Sequence, residues 1–116
     1  MTMILALGNA DQFIQLSDRR LLSGGRVVDD ESNKAGSLVC ADARLLFGFT
    51  GLAGVTNLFK THQWILKALV DSGSPDHTAY KMLERFKNRA SVDFLKLPFV
   101  KSLPKSERRL SIIFSG

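Results

Sequence analysis

Around residue 50 the spacing of apolar side chains changes from a strand period to a helix period, and that change limits the folds open to this chain. A strand sends alternate side chains to opposite faces, whereas a helix gathers residues three and four apart. Residues 3–7 form a short apolar run stopped by Gly8-Asn9, and residues 12–17 alternate Phe13 and Gln15 with Ile14 and Leu16. Together they predict a β-hairpin. Residues 35–41 and 44–49 predict a second strand pair across Asp42-Ala43. Ser23-Gly24-Gly25 reads as turn material, and Asp29-Asp30-Glu31 as a solvated loop without the ligand spacing of a calcium site.

From Leu52 the apolar positions become Leu52, Val55, Phe59, Leu66 and Leu69, widened by Trp64 and Ile65, which predicts a helix ended by Asp71-Ser72-Gly73. A second helix is expected with Asp76 as its N-cap and Ala79, Leu83, Phe86, Ala90 and Phe94 on its buried face. Residues 97–107, with Pro98 and Pro104, read as irregular and basic, and residues 110–114 as a strand. Four strands, two helices and a final strand make an α+β layout, with the helices stacked on one face of an antiparallel sheet.

Length and charge narrow the classes further. A chain of 116 residues with 45% hydrophobic and 23% charged residues has the composition of one globular domain. The longest uncharged run, 45–59, falls short of the ~20 residues of a membrane span, and residues 1–20 lack a signal-peptide pattern. A cytoplasmic location and no membrane partner are therefore the default expectations. Residues 81–116 carry nine Lys/Arg against three Asp/Glu, which could suit nucleic acid, but no basic motif interleaved with aromatics accompanies them. Cys40, the single cysteine, excludes an internal disulfide and reads as a core residue. His62 and His77 read as helix-surface residues without a third ligand at metal spacing. No metal or cofactor is expected.

The chemistry-bearing residues lie in the first fifty positions. Removal of Met1 leaves Thr2 with a free α-amine, whose ordinary pKa of roughly 7.7–8.0 lets it accept a proton from the hydroxyl of the same residue. Nearby positive charge pushes such an amine toward its neutral form, and Lys34 is the candidate for that charge. Asp18 and Arg20, two apart, share one face of an extended strand, where an acid can hold a lysine ammonium. Gly48 follows Leu45-Leu46-Phe47, at a place where a strand could end with its N–H turned toward a reacting carbonyl. Taken singly, Thr2 is a common second residue, Asp18-Arg19-Arg20 a solvated strand end, Lys34 a loop lysine and Gly48 a turn.

The joint order of Thr2, Ser17-Asp18-Arg19-Arg20, Lys34 and Gly48-Phe49-Thr50-Gly51-Leu52-Ala53 resembles that of proteasome β subunits and the simpler bacterial threonine proteases related to them. The resemblance extends weakly to Arg109-Leu110-Ser111-Ile112-Ile113-Phe114-Ser115-Gly116. It implies a four-layer αββα N-terminal-nucleophile hydrolase fold, with Thr2 as nucleophile, Asp18 and Lys34 as charged partners, Arg20 in the same network and Gly48 as oxyanion donor. It also implies a peptide or small-amide substrate and a ring-type homo-oligomer, with any partner ATPase unidentified.

Because that fold takes roughly two hundred residues, 1–116 is expected to be a single proteasome-like domain truncated to about its first half. Two departures stand out: Leu21-Leu22 replaces the small or hydroxylated residue that relatives carry beside the substrate, and only Met1 precedes Thr2. The alternatives are a catalytically inactive ring subunit of the same fold and, from a different class, a basic nucleic-acid-binding module.

Overall fold

The computed structural model describes residues 3–23, 25–29, 32–52, 54–55, 59–73 and 78–116. Strands β1 (Ile4–Gly8) and β2 (Phe13–Ser17) form the expected hairpin, with Leu5 opposite Leu16 and Leu7 opposite Ile14. Its turn is held by Asn9, whose Oδ1 accepts the N–H groups of Asp11 and Gln12 at 2.9 and 2.8 Å. A short hairpin follows, β3 (Leu21–Ser23) with β4 (Arg26–Asp29). Strands β5 (Ala35–Val39) and β6 (Arg44–Gly51) pair antiparallel, Ala35 opposite Gly48. A distant segment, β9 (Leu110–Ser115), pairs on the other side of β6 and completes a three-stranded sheet in the order β5-β6-β9.

The two faces of β6 sort the remaining elements into layers. Leu45, Phe47 and Phe49 point to one side and are buried in a core with Ile65, Leu69, Met82 and Phe86 from the helices. On that side lie α1 (Thr61–Ser72) and α2 (Ala79–Lys96). Gly48 points to the other side, where a side chain would meet Gln15 and Ile4 of the first hairpin. Helices, three-stranded sheet and hairpin are thus stacked in that sequence. Burying each large apolar side chain of this core contributes ~1.5–3 kcal/mol.

Helix α1 buries Thr61, Ile65, Leu69 and Ser72, one stripe at spacings of four, four and three. It ends where the sequence signals, with the Gly73 N–H donated to the carbonyls of Leu69 and Val70 at 3.1 Å. Helix α2 is capped by Thr78, whose Oγ1 accepts the Lys81 N–H, and its first N–H, from Ala79, is donated to Asp42 Oδ1 at 2.8 Å. The expected cap, Asp76, lies outside the described residues, as does His77. Met82, absent from the expected stripe, is buried in it beside Ala79, Phe86 and Phe94. None of the helices among the described residues is long and apolar enough to cross a membrane.

Three expectations need correction. The first helix does not begin at Leu52. Gly54–Val55 (β7) pairs with Phe59–Lys60 (β8), and the Leu52 N–H continues the β6 ladder to the Arg109 carbonyl at 2.9 Å. Long-range pairing outweighs the helical spacing of Leu52, Val55 and Phe59. Among the described residues six strands, not four, precede residue 52, because the Leu21–Ser23 and Arg26–Asp29 segments pair locally. Residues 97–107 contain a one-turn helix, α3 (Pro98–Ser102), and a 3₁₀ turn at Lys105–Glu107. Pro98 occupies the first helical turn, where its missing N–H costs nothing, and Val100 is fully buried.

Gly48 and Gly51 give a paired test of this arrangement. At Gly51, with φ +108°, a Cβ would lie 2.1 Å from the Arg109 carbonyl oxygen, whereas at Gly48 the nearest obstacle, at 2.6 Å, is the end of the Gln15 side chain. Gly51→Ala is expected to lower the urea midpoint more than Gly48→Ala, the latter costing ~1–3 kcal/mol as an overpacking change. Equal losses would mean that the two glycines serve the same steric purpose.

Candidate functional site

Lys34 immediately precedes β5 and is tied to β6 through its backbone, the Phe49 N–H donating to the Lys34 carbonyl at 3.0 Å. That anchor directs its side chain inward, and Lys34 is only 2% exposed. Its ammonium donates to Asp18 Oδ1 at 3.0 Å and to the backbone carbonyl of Arg20. Asp18 stands just beyond β2 and extends that hairpin by one bond, its N–H donating to the Met3 carbonyl at 3.2 Å. The site therefore joins the end of the first hairpin to the start of β5.

The energetics favour a site that holds its geometry without adding much stability. Moving an ammonium out of water costs several kcal/mol, while a hydrogen bond to a charged group returns ~1.5–3 kcal/mol. Two such bonds roughly offset the burial. Removing one partner is the costly change, because it leaves the other without compensation.

Of the residues expected at the site, the structure brings Asp18, Lys34 and Arg20 together. Arg20 takes part differently from the expectation: residues 18–20 lie between strands, the Arg20 side chain is exposed, and its carbonyl is the group that receives the ammonium. A carbonyl contribution is independent of the side chain, so no residue-type signal announces it. Thr2 lies outside the described residues.

Gly48 is not at a strand end, which corrects the sequence expectation. It lies inside β6, opposite Ala35 on one side and Ile113 on the other. The bonds Phe49 N–H to Lys34 and Leu52 N–H to Arg109 fix the alternation of the two ladders. By that alternation the Gly48 N–H faces the Ile113 carbonyl. What glycine supplies here is space, since the Gln15 amide occupies the volume above its Cα.

Gln15 is the residue that sequence reasoning missed. Its Oε1 accepts from the Ser115 hydroxyl at 3.3 Å, while its Nε2 is buried without a hydrogen-bond partner. The signal was a polar residue at an inward-facing strand position between Phe13 and Ser17. His62, on α1, stacks on Phe47 with ring centroids 6.0 Å apart and is half-buried rather than a surface residue. Cys40 packs against the core, and burial, followed by the nearby Asp42 carboxylate, pushes its thiol above the ordinary range.

No family model matches the chain, and neither does any curated protein or solved structure.

Two measurements check this geometry. Asp18→Asn is expected to destabilise the fold more than Lys34→Met: the first leaves an ammonium at 2% exposure facing a neutral amide, while the second leaves a carboxylate that is 37% exposed and free to resolvate. Urea unfolding at neutral pH gives the order, and the reverse order would show that the Lys34 charge is not the constrained member. For Cys40 the upward shift leaves a smaller thiolate fraction at a given pH in the folded protein than in the unfolded chain. Alkylation near a pH of about 8.5 should therefore be slower in the folded protein than in the unfolded chain, the difference closing at higher pH.

Proposed function

We propose that this protein is a threonine-type amide or peptide hydrolase of the proteasome-like, N-terminal-nucleophile kind, acting through Thr2 after removal of Met1. The observation that carries the reading is the buried ammonium of Lys34, held by Asp18 Oδ1 and the Arg20 carbonyl at the open end of the β1–β2 hairpin. Met3, the residue after Thr2 in the sequence, is bonded through its carbonyl to Asp18. Asp18, Arg20 and Lys34, three of the residues whose spacing carried the resemblance, are in contact.

The layer order also supports it. A helical layer, a three-stranded sheet and a hairpin layer are compatible with three of the four layers that an αββα fold would have. The fourth would lie on the outward face of the hairpin, where Leu5, Leu7, Ile14 and Leu16 are between 51 and 75% exposed. Four large apolar side chains in two cross-strand pairs form a surface of the kind that another layer covers.

In this mechanism the Thr2 amine takes the proton of the Thr2 hydroxyl as the oxygen attacks the substrate carbonyl carbon. Collapse of the tetrahedral intermediate expels the leaving amine, which receives that proton, and leaves an acyl ester on Thr2. Water then attacks the ester with the same amine as base, releasing the acid and restoring the hydroxyl. The Lys34 ammonium favours the neutral amine at the start of each half, and Asp18 holds the ammonium in place.

The pairing of Gly48 with Ile113 favours a second reading, a ring subunit of the same fold without catalysis. An oxyanion role for Gly48 requires its N–H to be released from β9. Lys34→Ala separates the two readings. In an active preparation it is expected to abolish turnover while the far-UV circular dichroism is kept, whereas near-normal turnover would reduce Lys34 to a structural ion pair. Intact-mass spectrometry of the same preparation should show Met1 removed, and amide hydrolysis by protein that retains Met1 overturns the nucleophile.

A further inference from the structure

Helix α2 carries most of its cations along one flank. At ~3.6 residues per turn, Lys81, Arg85, Arg89, Val92 and Lys96 follow one another within an arc of ~80°, and all five are exposed. The other exposed flank holds Tyr80, Glu84, Asn88, Ser91 and Leu95, with Lys87 the one cation of the helix off the line. The acids stand aside from it too. Glu84 lies on that second flank, and Asp93 borders the buried face, where it pairs with Arg89 at 3.4 Å.

Local helix stability does not account for this placement. Lys81 with Arg85 and Arg85 with Arg89 are like charges four apart, which repel across one turn. Lys81 also stands in the first turn, where the helix dipole favours an acid, and that turn contains none. A helix face that serves only to be solvated gains from mixing the two signs at this spacing. The row is instead kept cationic over the ~22 Å from Lys81 to Lys96, wholly within one helix.

We infer that this flank of α2 binds the phosphate backbone of double-stranded nucleic acid, without reading its sequence. Residues four apart advance ~6 Å along a helix, so the row is a straight, rigid series of cations, and a duplex offers a rigid series of anions. Single strands are held by aromatic stacking as well as charge, and the row has no aromatic residue. A membrane surface takes up apolar side chains between the cations, and Val92 is the only one on the line. Arg89 is engaged by Asp93 and by the Asp71 carbonyl at 3.4 Å. Lys81 and Lys96, at the two ends, make no ion pair among the described residues. Contacts of this kind go to phosphate oxygens and carry no base preference. The surface is separate from the chemistry at Thr2.

Fluorescence anisotropy of a labelled 20-base-pair duplex, titrated with the 116-residue chain from 50 to 200 mM salt, tests it. The logarithm of the association constant is expected to fall linearly with the logarithm of salt, with a slope of about −2 to −3, at ~0.9 per phosphate contacted. Lys81→Gln with Lys96→Gln should weaken binding more than ~10-fold at 50 mM salt and bring the slope close to zero. Thermal unfolding of that double variant should occur no lower than in the wild type, since Gln keeps the helix and removes a cation from the first turn. Arg26→Gln, on β4, should bind as the wild type does. Absence of duplex binding at 50 mM salt overturns the inference, as does a double variant that binds normally. A single strand or an anionic vesicle bound as tightly as the duplex overturns it as well. A double variant that unfolds at lower temperature does the same, because the row then serves the fold.

Discussion

The helices α1 and α2 and the first hairpin are laid against the two faces of β6, and the physical constraint is that a strand buried on both sides must satisfy two different neighbours through alternate residues. Leu45, Phe47 and Phe49 supply volume to the helical side, where Phe47 packs near Phe114 and His62. Gly48 supplies the opposite, a gap through which the hairpin approaches closely enough for Gln15 and Ile4 to touch the strand. A side chain at Gly48 would displace the end of Gln15 and press on the Ile4 side chain of that hairpin.

The Lys34 arrangement shows how little net stability a buried ion pair needs to supply in order to fix a geometry. The ammonium is almost wholly out of water, held by a partly exposed carboxylate and a backbone carbonyl. Its burial is tolerated because the Lys34 backbone is itself bonded into β6, which leaves the side chain few other directions. The charge is delivered to the end of the first hairpin by the sheet and not by attraction alone. A mobile lysine at the same place would be hydrated, and its field at any neighbouring amine would be screened.

The hairpin and the edge strand pose the same surface problem in different ways. Leu5, Leu7, Ile14 and Leu16 of β1 and β2 present exposed side chains, while β9 is an edge strand among the described residues. A layer resolves the first, and a strand resolves the second. Sheets that carry helices on one face leave both kinds of surface unless further structure or another copy closes them.

The sequence by itself determined the hairpin at residues 4–17, the β5–β6 pair, the stop at Gly73 and the last strand, because each is written in local chemistry: alternation, a turn residue, a helix-ending glycine. It also determined that Asp18 and Lys34 could pair, since only an acid and a base at compatible positions were needed. Tertiary structure decided the rest. Leu52, Val55 and Phe59 carry a helical spacing, yet Leu52 continues the β6 ladder to Arg109, and Gly54–Val55 pairs with Phe59–Lys60. Gly48 reads as a strand end in sequence but lies mid-strand, because its second neighbour comes from sixty-five residues further along the chain. The Arg20 carbonyl and the Gln15 amide entered the site for the same reason. Backbone groups and inward-facing polar side chains acquire a role only when a distant strand is laid against them, and no window of local sequence contains that strand.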